Sequence, residues 1–583
     1  MKNRILHSAV LLTLAFVLAF SAGCGAAGAE GQKWWQKAIA YEIYIRSFKD
    51  SDGDGIGDLK GIISELDYLQ SLGIGAVWIT PFYVSPQADN GYDIADYYNI
   101  DPLYGTMEDM ETLIAEAGRR DIRIIMDLVF NHTSNQNPWF LDSASSRDSE
   151  KTDWYIWKDP REDGSAPNNW RSIFGGSAWT YNETRGQYYL HTFLPEQPDL
   201  NWENPEVRKA LTDVALFWIG KGVGGFRMDA ITYIKKPAGF PDGKPDAPDG
   251  TAGIHGMTAN TDGILDYLRD FRDAVHGERD IVTVGEANGI IPEDLPQWIG
   301  ADIGVFDMVF DFHHILIDLP DEMNWCVTTP WKLSDLKEIF AVVRDETGYA
   351  NGWSSIFLEN HDQPRSINHF LPEGADRKAG GKALATLLLT MPGTPFIMQG
   401  EELGYVNVTW DSIEKYNDAS TVNHHQFALN SGYSPKEALA GVHRFSRDSA
   451  RTPMQWDASP NAGFTSGKPW LPVSGDYETL NAEAERNDPD SVLNWYISLA
   501  GLRGEHPVFT EGTCKDLFPE DDQVYAYIRE TESEKAVVLI NLSTKEASYD
   551  AACLEGAELL TCTHGTNTPG VLRPLEAAVY LAR

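Results

Sequence analysis

The sequence predicts an α/β fold: a (β/α)8 TIM barrel with an inserted subdomain after its third strand and a C-terminal antiparallel β domain. Eight short runs rich in apolar, β-branched and aromatic residues recur along the 583-residue chain, with helical segments such as residues 59–72 and 108–117 between them. That alternation is typical of parallel βα units, and eight such units close into a barrel. The candidate strands are residues 40–48, 76–80, 123–130, 224–229, 281–286, 306–310, 355–359 and 395–399.

The segments between these runs indicate the domain organisation. The gap between the third and fourth runs is too long for a simple crossover and is rich in Trp, Asn, Asp and Gly, so it predicts an inserted subdomain. Short alternating runs near the C-terminus predict a small antiparallel sheet. The predicted parts are 34–130 and 201–504 for the barrel, 131–200 for the subdomain and 505–583 for the C-terminal domain.

The first 23 residues predict a signal peptide of the lipoprotein type. Lys2 and Arg4 precede an apolar run, residues 9–20, that is too short to span a bilayer as a mature helix. Ser21-Ala22-Gly23-Cys24 resembles a bacterial lipobox, in which Cys24 carries the lipid and a flexible linker, residues 24–33, follows. We therefore expect an exported cell-surface lipoprotein of a bacterium, attached to the membrane only through Cys24. Ordinary cleavage after residues 27–29, giving a secreted or periplasmic protein, is the alternative.

The charge balance excludes one class of partner. With 47 Lys and Arg against 86 Asp and Glu, the net charge is −39, and such a surface repels phosphate backbones. We therefore expect no nucleic acid partner. We also expect the protein to be a monomer. Five cysteines are few for an exported chain of this length, so disulfides are not expected to hold the fold together.

Several predicted strands end in carboxylates, at the edge where a barrel enzyme builds its site. Arg227 and Asp229 are two residues apart in the fourth run and point to the same side, so the guanidinium favours the ionised carboxylate that a nucleophile requires. A structural Arg–Asp pair explains this segment equally well. Glu286 ends an apolar run, where partial desolvation suits a general acid.

Four segments at predicted strand ends occur in the same order as the signature regions of a known enzyme family. Residues 127–132, 225–230, 284–288 and 357–362 resemble the four signature regions of the α-amylase superfamily of retaining glycoside hydrolases. The similarity spans nearly the whole mature chain. The branch that it resembles contains oligo-1,6-glucosidases, dextran glucosidases and α-glucosidases, and the motifs that indicate this branch are QPDLN (197–201), NHDQPR (360–365), QGEE (399–402) and ARTPMQW (450–456).

The resemblance implies a role for each site residue. Asp229 would be the nucleophile, Glu286 the acid/base and Asp362 a third carboxylate that grips sugar hydroxyls. The other residues implied to hold the reacting glucose are His132, Arg227 and His361. The residues implied to clamp the terminal glucose, and so to restrict cleavage to the non-reducing end, are Asp89, Tyr92 and Arg447.

An acidic loop after the first run resembles the calcium loop of oligo-1,6-glucosidases. Its carboxylates alternate around glycines, a geometry that can surround a hard cation with oxygen atoms. An EF-hand is excluded because position 12 is Gly61 rather than Glu. The expected ligands of a structural Ca²⁺ are Asp50, Asp52, Asp54, the Ile56 carbonyl and Asp58. A solvated acidic turn is the alternative.

The leading hypothesis is a retaining, exo-acting α-glucosidase that releases glucose from the non-reducing end of short α-1,4- or α-1,6-linked gluco-oligosaccharides. Ala230 follows the implied nucleophile where many oligo-1,6-glucosidases have Val, and Ala287-Asn288 also departs from the α-1,6 group, so the preferred linkage stays open. One alternative is an isomerase or transglycosylase on the same scaffold, like trehalose synthase or sucrose isomerase. Another is an inactive sugar-binding lipoprotein.

Overall fold

The computed structural model describes residues 32–247, 249–277, 279–320 and 324–583. The predicted signal peptide, Cys24 and all but the last two residues of the predicted linker lie outside these ranges. Within them, no helix is long and apolar enough to cross a membrane.

Eight parallel strands form the predicted barrel. They are β1 (Ala40–Ile43), β2 (Ala76–Ile79), β3 (Arg123–Val129), β4 (Gly225–Asp229), β5 (Val282–Glu286), β6 (Met308–Phe310), β7 (Ser355–Ile356) and β8 (Thr394–Met398). Their hydrogen-bonded order is β6-β5-β4-β3-β2-β1-β8-β7, and each pair in it is parallel. The Ser355 hydroxyl donates to the Val309 carbonyl at 2.6 Å and so bridges the two end strands of this order. The predicted fold class is confirmed.

Helices follow most strands and pack their apolar faces on the barrel. The main ones are Leu59–Ser64, Leu66–Ser71, Met107–Gly118, Pro205–Lys221, Ile264–Val275, Leu295–Ile299, Leu333–Tyr349, Arg377–Thr390 and Val492–Glu505. Pro205–Lys221 shows the local reason: Asn204 accepts a hydrogen bond from the Glu206 N–H, and Pro205 occupies the first helical position, where no donor is needed. Gly222 ends the helix at φ +98°, in the left-handed region that favours glycine.

Several predicted elements are shorter than expected, among them the first, sixth and seventh strands and the first helix. The first strand ends at Ile43 because side chains take over the hydrogen bonds of the next residues: Tyr44 N–H donates to Gln399 (2.9 Å) and Ile45 N–H to Thr80 (3.2 Å). The predicted helix over residues 59–72 is two helices, with Glu65 between them at φ −106°. The end of the first strand thus depends on side-chain contacts that sequence periodicity does not report.

The inserted subdomain and the C-terminal domain have separate sheets. The subdomain contains the helix Pro138–Ser145 and an antiparallel sheet in the order Trp157–Lys158, Gln187–Leu190, Trp179–Asn182. Its strand Trp170–Arg171 pairs instead with Ala252–Gly253, in the segment that follows β4. The C-terminal domain is an antiparallel sheet in the order Thr513–Leu517, Val524–Glu530, Lys535–Asn541, Ala577–Ala582, Glu558–Cys562. Cys326, Cys514, Cys553 and Cys562 are free thiols.

Candidate active site

A cavity of about 580 Å³ opens at the carboxyl ends of the barrel strands. Its walls include Asp229 at the end of β4 and Glu286 at the end of β5, together with Asp362 from the loop after β7. The inserted subdomain and the long segment after β8 supply much of the remaining wall. The three carboxylates that the sequence implicates therefore share one cavity.

Arg227 is the centre of this group. Its Nη1 donates to Asp229 Oδ1 at 2.6 Å and to Asp127 Oδ1 at 2.9 Å, and its Nη2 lies 2.8 Å from Glu286 Oε2. The Arg227 side chain is only 2% exposed. One buried cation thus fixes the orientation of three carboxylates. The predicted contact between Arg227 and Asp229 is present, but Arg227 also holds Asp127 and Glu286, which spacing along β4 does not reveal.

The protonation of Asp229 is set by two opposing effects. Burial raises the pKa of Asp229 well above its ordinary value, although the Arg227 guanidinium acts in the opposite direction. The neighbouring carboxylates, Glu286 first among them, add to the rise. Arg227 therefore favours ionisation as expected, but its single charge does not neutralise the whole group.

Asp362 has the opposite electrostatic environment. Arg451 Nη2 donates to Asp362 Oδ1 at 2.5 Å, and Arg447 Nη1 donates to the same oxygen at 3.0 Å. Burial alone would raise the pKa of Asp362, but His361 and these two guanidiniums outweigh it and hold the pKa far below its usual range. These charges therefore favour the ionised form of Asp362, which can accept hydrogen bonds from hydroxyl groups.

His361 and Tyr92 form a stacked pair under the cavity. Their ring centroids are 5.4 Å apart and nearly parallel, and the Tyr92 hydroxyl lies 2.7 Å from His361 Nε2. His361 Nδ1 contacts Glu42 at 2.5 Å, while the Tyr92 hydroxyl also donates to Asp127 at 3.0 Å. Both rings are thus fixed by buried partners on β1 and β3.

Gln197 connects His132 to Asp89. Gln197 Nε2 lies 3.1 Å from His132 Nε2 and donates to Asp89 Oδ2 at 3.0 Å. Burial lowers the pKa of His132 to about 4, so the imidazole is neutral at neutral pH. Gln197 belongs to the QPDLN motif, whose role in the site was not visible from sequence.

The clamp differs from the simplest expectation for Arg447. Its nearest partner is Asp418, which accepts from Nη2 at 2.5 Å and from Nε at 3.0 Å, whereas the closest Asp89 oxygen is 3.7 Å away. Arg447 also lies over the Phe174 ring of the inserted subdomain, 4.9 Å from its centroid. Asp418 was missed because it directly precedes the helix Ala419–Asn430 as its N-cap, and a capping aspartate gives no sign in the sequence that it also forms a buried ion pair.

The acidic loop brings three of its carboxylates together. Single oxygen atoms of Asp50, Asp52 and Asp58 all lie within 4.8 Å of one another, and Asp54 is not part of that group. Asp50 and Asp58 are also tied to the loop backbone: Asp50 accepts from the Gly53 and Gly55 N–H groups, and Asp58 caps the helix Leu59–Ser64. The donor set is all oxygen, which fits a hard cation such as Ca²⁺.

Comparison with known proteins agrees with this geometry. Residues 42–512 match the alpha amylase catalytic domain. The chain is 44% identical over 564 residues to probable oligo-1,6-glucosidase 3 of Bacillus subtilis (strain 168), covering 94% of this chain and 99% of that protein. It is 45% identical to an oligo-1,6-glucosidase of Heyndrickxia coagulans, with the same coverage, and 42% identical to a trehalose-6-phosphate hydrolase of B. subtilis, covering 94% and 98%.

Comparison with solved structures supports the same family. Isomaltulose synthase from Klebsiella sp. LX3 superimposes with a TM-score of 0.90 at 40% identity, covering 95% of this chain and all of that one. Trehalose-6-phosphate hydrolase of Bacillus licheniformis gives 0.88, also at 40% identity and with the same coverage. The fold and the carboxylate-lined cavity define a (β/α)8-barrel glycoside hydrolase. The chain belongs to the α-amylase family, and its relatives include several oligo-1,6-glucosidases.

Proposed function

We propose that this glycoside hydrolase is a retaining, exo-acting α-glucosidase of short α-1,4- or α-1,6-linked gluco-oligosaccharides, with Asp229 as nucleophile and Glu286 as acid/base. The observation that carries the proposal is the shared guanidinium: Asp229 and Glu286 contact Nη1 and Nη2 of Arg227 at 2.6 and 2.8 Å. A retaining enzyme needs its two carboxyl groups close together, about 5–5.5 Å apart. Because Asp229 and Glu286 both contact the planar guanidinium of Arg227, their carboxyl groups lie close together.

The geometry supports a double displacement. Asp229 attacks the anomeric carbon while Glu286 gives its proton to the departing glycosidic oxygen, so the glycosidic bond breaks as a covalent glucosyl–Asp229 ester forms. Water then attacks the same carbon, Glu286 takes its proton, and the ester bond breaks to release glucose. This reaction begins with Asp229 ionised and Glu286 protonated. Asp362 stays ionised throughout and accepts hydroxyls of the reacting sugar.

Attack at the chain end follows from how the cavity closes. Arg447 is bonded to Asp418 and Asp362 and packs on Phe174, while the Asn423 side chain donates to the Phe174 carbonyl at 2.7 Å. The inserted subdomain and the segment after β8 therefore meet on this side of the site. A glucan chain cannot thread through that contact, so only a terminal glucose reaches Asp229.

The charge of the cavity argues for neutral sugars rather than sugar phosphates. Its walls carry five carboxylates and two guanidiniums: Asp89, Asp229, Asp246, Glu286 and Asp362 against Arg171 and Arg447. Both arginines already contact carboxylates, at 2.8 Å for Arg171–Asp246 and 2.5 Å for Arg447–Asp418. A phosphate dianion would meet net negative charge. Trehalose 6-phosphate, named for one relative, is therefore not the substrate we propose.

The decisive experiment combines a substrate panel with two variants. We expect glucose from maltose, isomaltose or panose, and Asp229→Asn and Glu286→Gln should each lower turnover by several orders of magnitude with an unchanged melting temperature. Asp311→Asn is the matched control, because that carboxylate follows β6 but bonds His313 rather than Arg227. Near-normal turnover of either active-site variant would overturn the assignment.

The same panel tests the alternative activities. The solved isomaltulose synthase has a TM-score of 0.90 to this chain, so sucrose is included and its products are separated by chromatography. Isomeric disaccharides as the main product would favour an isomerase over a hydrolase. Absence of any turnover would favour the sugar-binding alternative.

We also propose a structural calcium site and lipid attachment at Cys24. Asp50, Asp52 and Asp58 would hold the ion, with Asp54 and the Ile56 carbonyl as further expected ligands, and the ion would offset the repulsion among these carboxylates. For the anchor, incorporation of labelled fatty acid that Cys24→Ser abolishes would support attachment. Unlabelled protein released into the medium would contradict it.

A further inference from the structure

The segment after β4 reaches across to the inserted subdomain. Its strand Ala252–Gly253 pairs in parallel with Trp170–Arg171, through hydrogen bonds of 3.0 Å from Ala252 N–H to the Asn169 carbonyl and 2.9 Å from Ile254 N–H to the Arg171 carbonyl. The Trp170 indole also donates to the Pro241 carbonyl at 2.9 Å. This connection is a fixed part of the fold because backbone and side chains both contribute.

A second Arg–Asp pair lies at this connection. Arg171 Nη1 is 2.8 Å from Asp246 Oδ1 and donates to the Thr251 hydroxyl at 3.0 Å. The Asp246 side chain is 52% exposed whereas that of Arg171 is 10% exposed. Asp246 Oδ2 accepts from the Gly253 N–H at 2.9 Å, which fixes the carboxylate. The Nε atom of Arg171 is buried and has no hydrogen-bond partner among the described residues.

Both members of this pair line the cavity that contains Asp229 and Glu286. His255 shows where the pair lies on the cavity wall, because it belongs to the same chain segment as Asp246 and also lines the cavity. A side chain at Gly289 would meet His255 at 3.2 Å, so His255 packs against the backbone just after Glu286. Because Glu286 is the group proposed to protonate the departing oxygen, this part of the wall faces the leaving sugar.

We propose that Arg171 and Asp246 grip the leaving sugar, an assignment that rests on the proposed function and extends it to the substrate's other end. A guanidinium donates to hydroxyl oxygens, and an adjacent carboxylate accepts from hydroxyl groups, so the pair recognises neighbouring hydroxyls of one sugar ring. The pair carries no net charge and so favours a neutral sugar. The enzyme therefore selects glycosides whose leaving group is itself a sugar over glycosides with an apolar leaving group.

The test compares two kinds of substrate. Maltose and isomaltose leave a sugar, whereas p-nitrophenyl α-glucoside leaves a phenol without sugar hydroxyls. Arg171→Met should lower the ratio of kcat/KM for the disaccharides to kcat/KM for the aryl glucoside by roughly ten- to a hundredfold, the range for losing hydrogen bonds to a charged group. Asp246→Asn, at a half-exposed position, should lower the ratio in the same direction.

Arg161→Met is the matched control. Arg161 forms an ion pair with Asp242 and so links the same segment to the same subdomain, but neither residue lines the cavity. The ratio should stay at the wild-type value in this variant. A ratio unchanged in both Arg171→Met and Asp246→Asn, or lowered equally in Arg161→Met, would overturn the inference.

Failure of this inference is distinguishable from failure of the proposed function. Asp229→Asn is measured alongside with the same substrates. Loss of all turnover in that variant upholds the proposed function, whatever the ratio shows for Arg171→Met.

Discussion

The backbone N–H of Ala230 donates a 2.7 Å hydrogen bond to Glu286 Oε2. Ala230 directly follows Asp229 and has φ +46°, in the left-handed region. The turn after β4 thus aims a donor at the carboxylate of β5. The residue after the proposed nucleophile therefore helps to orient the proposed acid/base as well as shape the cavity that it lines.

Substitution of Ala230 should change linkage preference. We expect Ala230→Val to raise the ratio of isomaltose to maltose hydrolysis, since a methyl-scale change in pocket shape is worth about 1–3 kcal/mol of discrimination. A β-branched residue at positive φ is also strained, so the melting temperature should fall. Ala230→Gly is the control, because glycine adopts this φ freely and adds no volume. An unchanged ratio in Ala230→Val would show that linkage preference is set elsewhere, for example at Ala287-Asn288.

Arg447→Ala should sharply reduce activity on short oligosaccharides. The change leaves the buried Asp418 with Arg451 as its remaining cation at 3.6 Å, and a broken buried pair costs about 3–5 kcal/mol, less where water enters. Arg447→Lys, which keeps the charge but not the forked donors, should retain more activity. Initial rates and starch viscosity are the measurements. Unchanged rates would show that Arg447 does not contribute to substrate binding, and internal cleavage of starch would show that Arg447 alone closes the cavity.

Chelation should lower the melting temperature more than it lowers initial activity. A metal bound only by the folded state stabilises by mass action, by about 2.7 kcal/mol at one hundred times its Kd. Asp52→Asn should reduce the calcium-dependent shift in melting temperature, because Asp52 belongs to the oxygen cluster. Asp54→Asn is the comparison, since Asp54 lies outside that cluster, and its effect should be smaller. A melting temperature independent of calcium would refute the site.

His314 should make folding stability pH-dependent. Burial lowers its pKa to about 4, and Nε2 lies 2.8 Å from the Phe357 carbonyl. The unfolded chain takes up this proton near pH 6.5 but the folded protein only near pH 4, so stability is lost as pH falls between these values. The slope from one such group is about 1.4 kcal/mol per pH unit.

His314→Met removes this group from a buried aromatic environment outside the proposed catalytic carboxylates. Denaturant unfolding from pH 4 to 6.5 should give a shallower dependence for the variant than for the wild type. Other buried groups change stability with pH in the opposite direction, such as Asp93, whose pKa burial raises to about 6. These groups are present in both proteins, so their contribution cancels when the two unfolding free energies are subtracted. Parallel curves for the two proteins would show that His314 titrates normally.

The sequence by itself determined the barrel and its candidate catalytic carboxylates. Apolar runs at regular spacing are local signals, and Asp229 and Glu286 could be located because each ends such a run. The family motifs then implied a role for each of these residues, and the comparison with known proteins establishes that the chain belongs to the α-amylase family. Strand ends were less predictable: the first strand stops at Ile43 because Gln399 and Thr80, distant along the chain, take the next hydrogen bonds.

Only the tertiary structure decided which charges compensate one another. Arg447 could be expected to reach Asp89, but packing brings it closer to Asp418, and Arg227 holds Glu286 from the neighbouring strand. Arg171 could not be linked to the cavity at all, because its position depends on a ladder between two irregular segments. Ion pairing depends on distances of a few ångströms between chain segments remote in sequence, and residue periodicity contains no information about those distances.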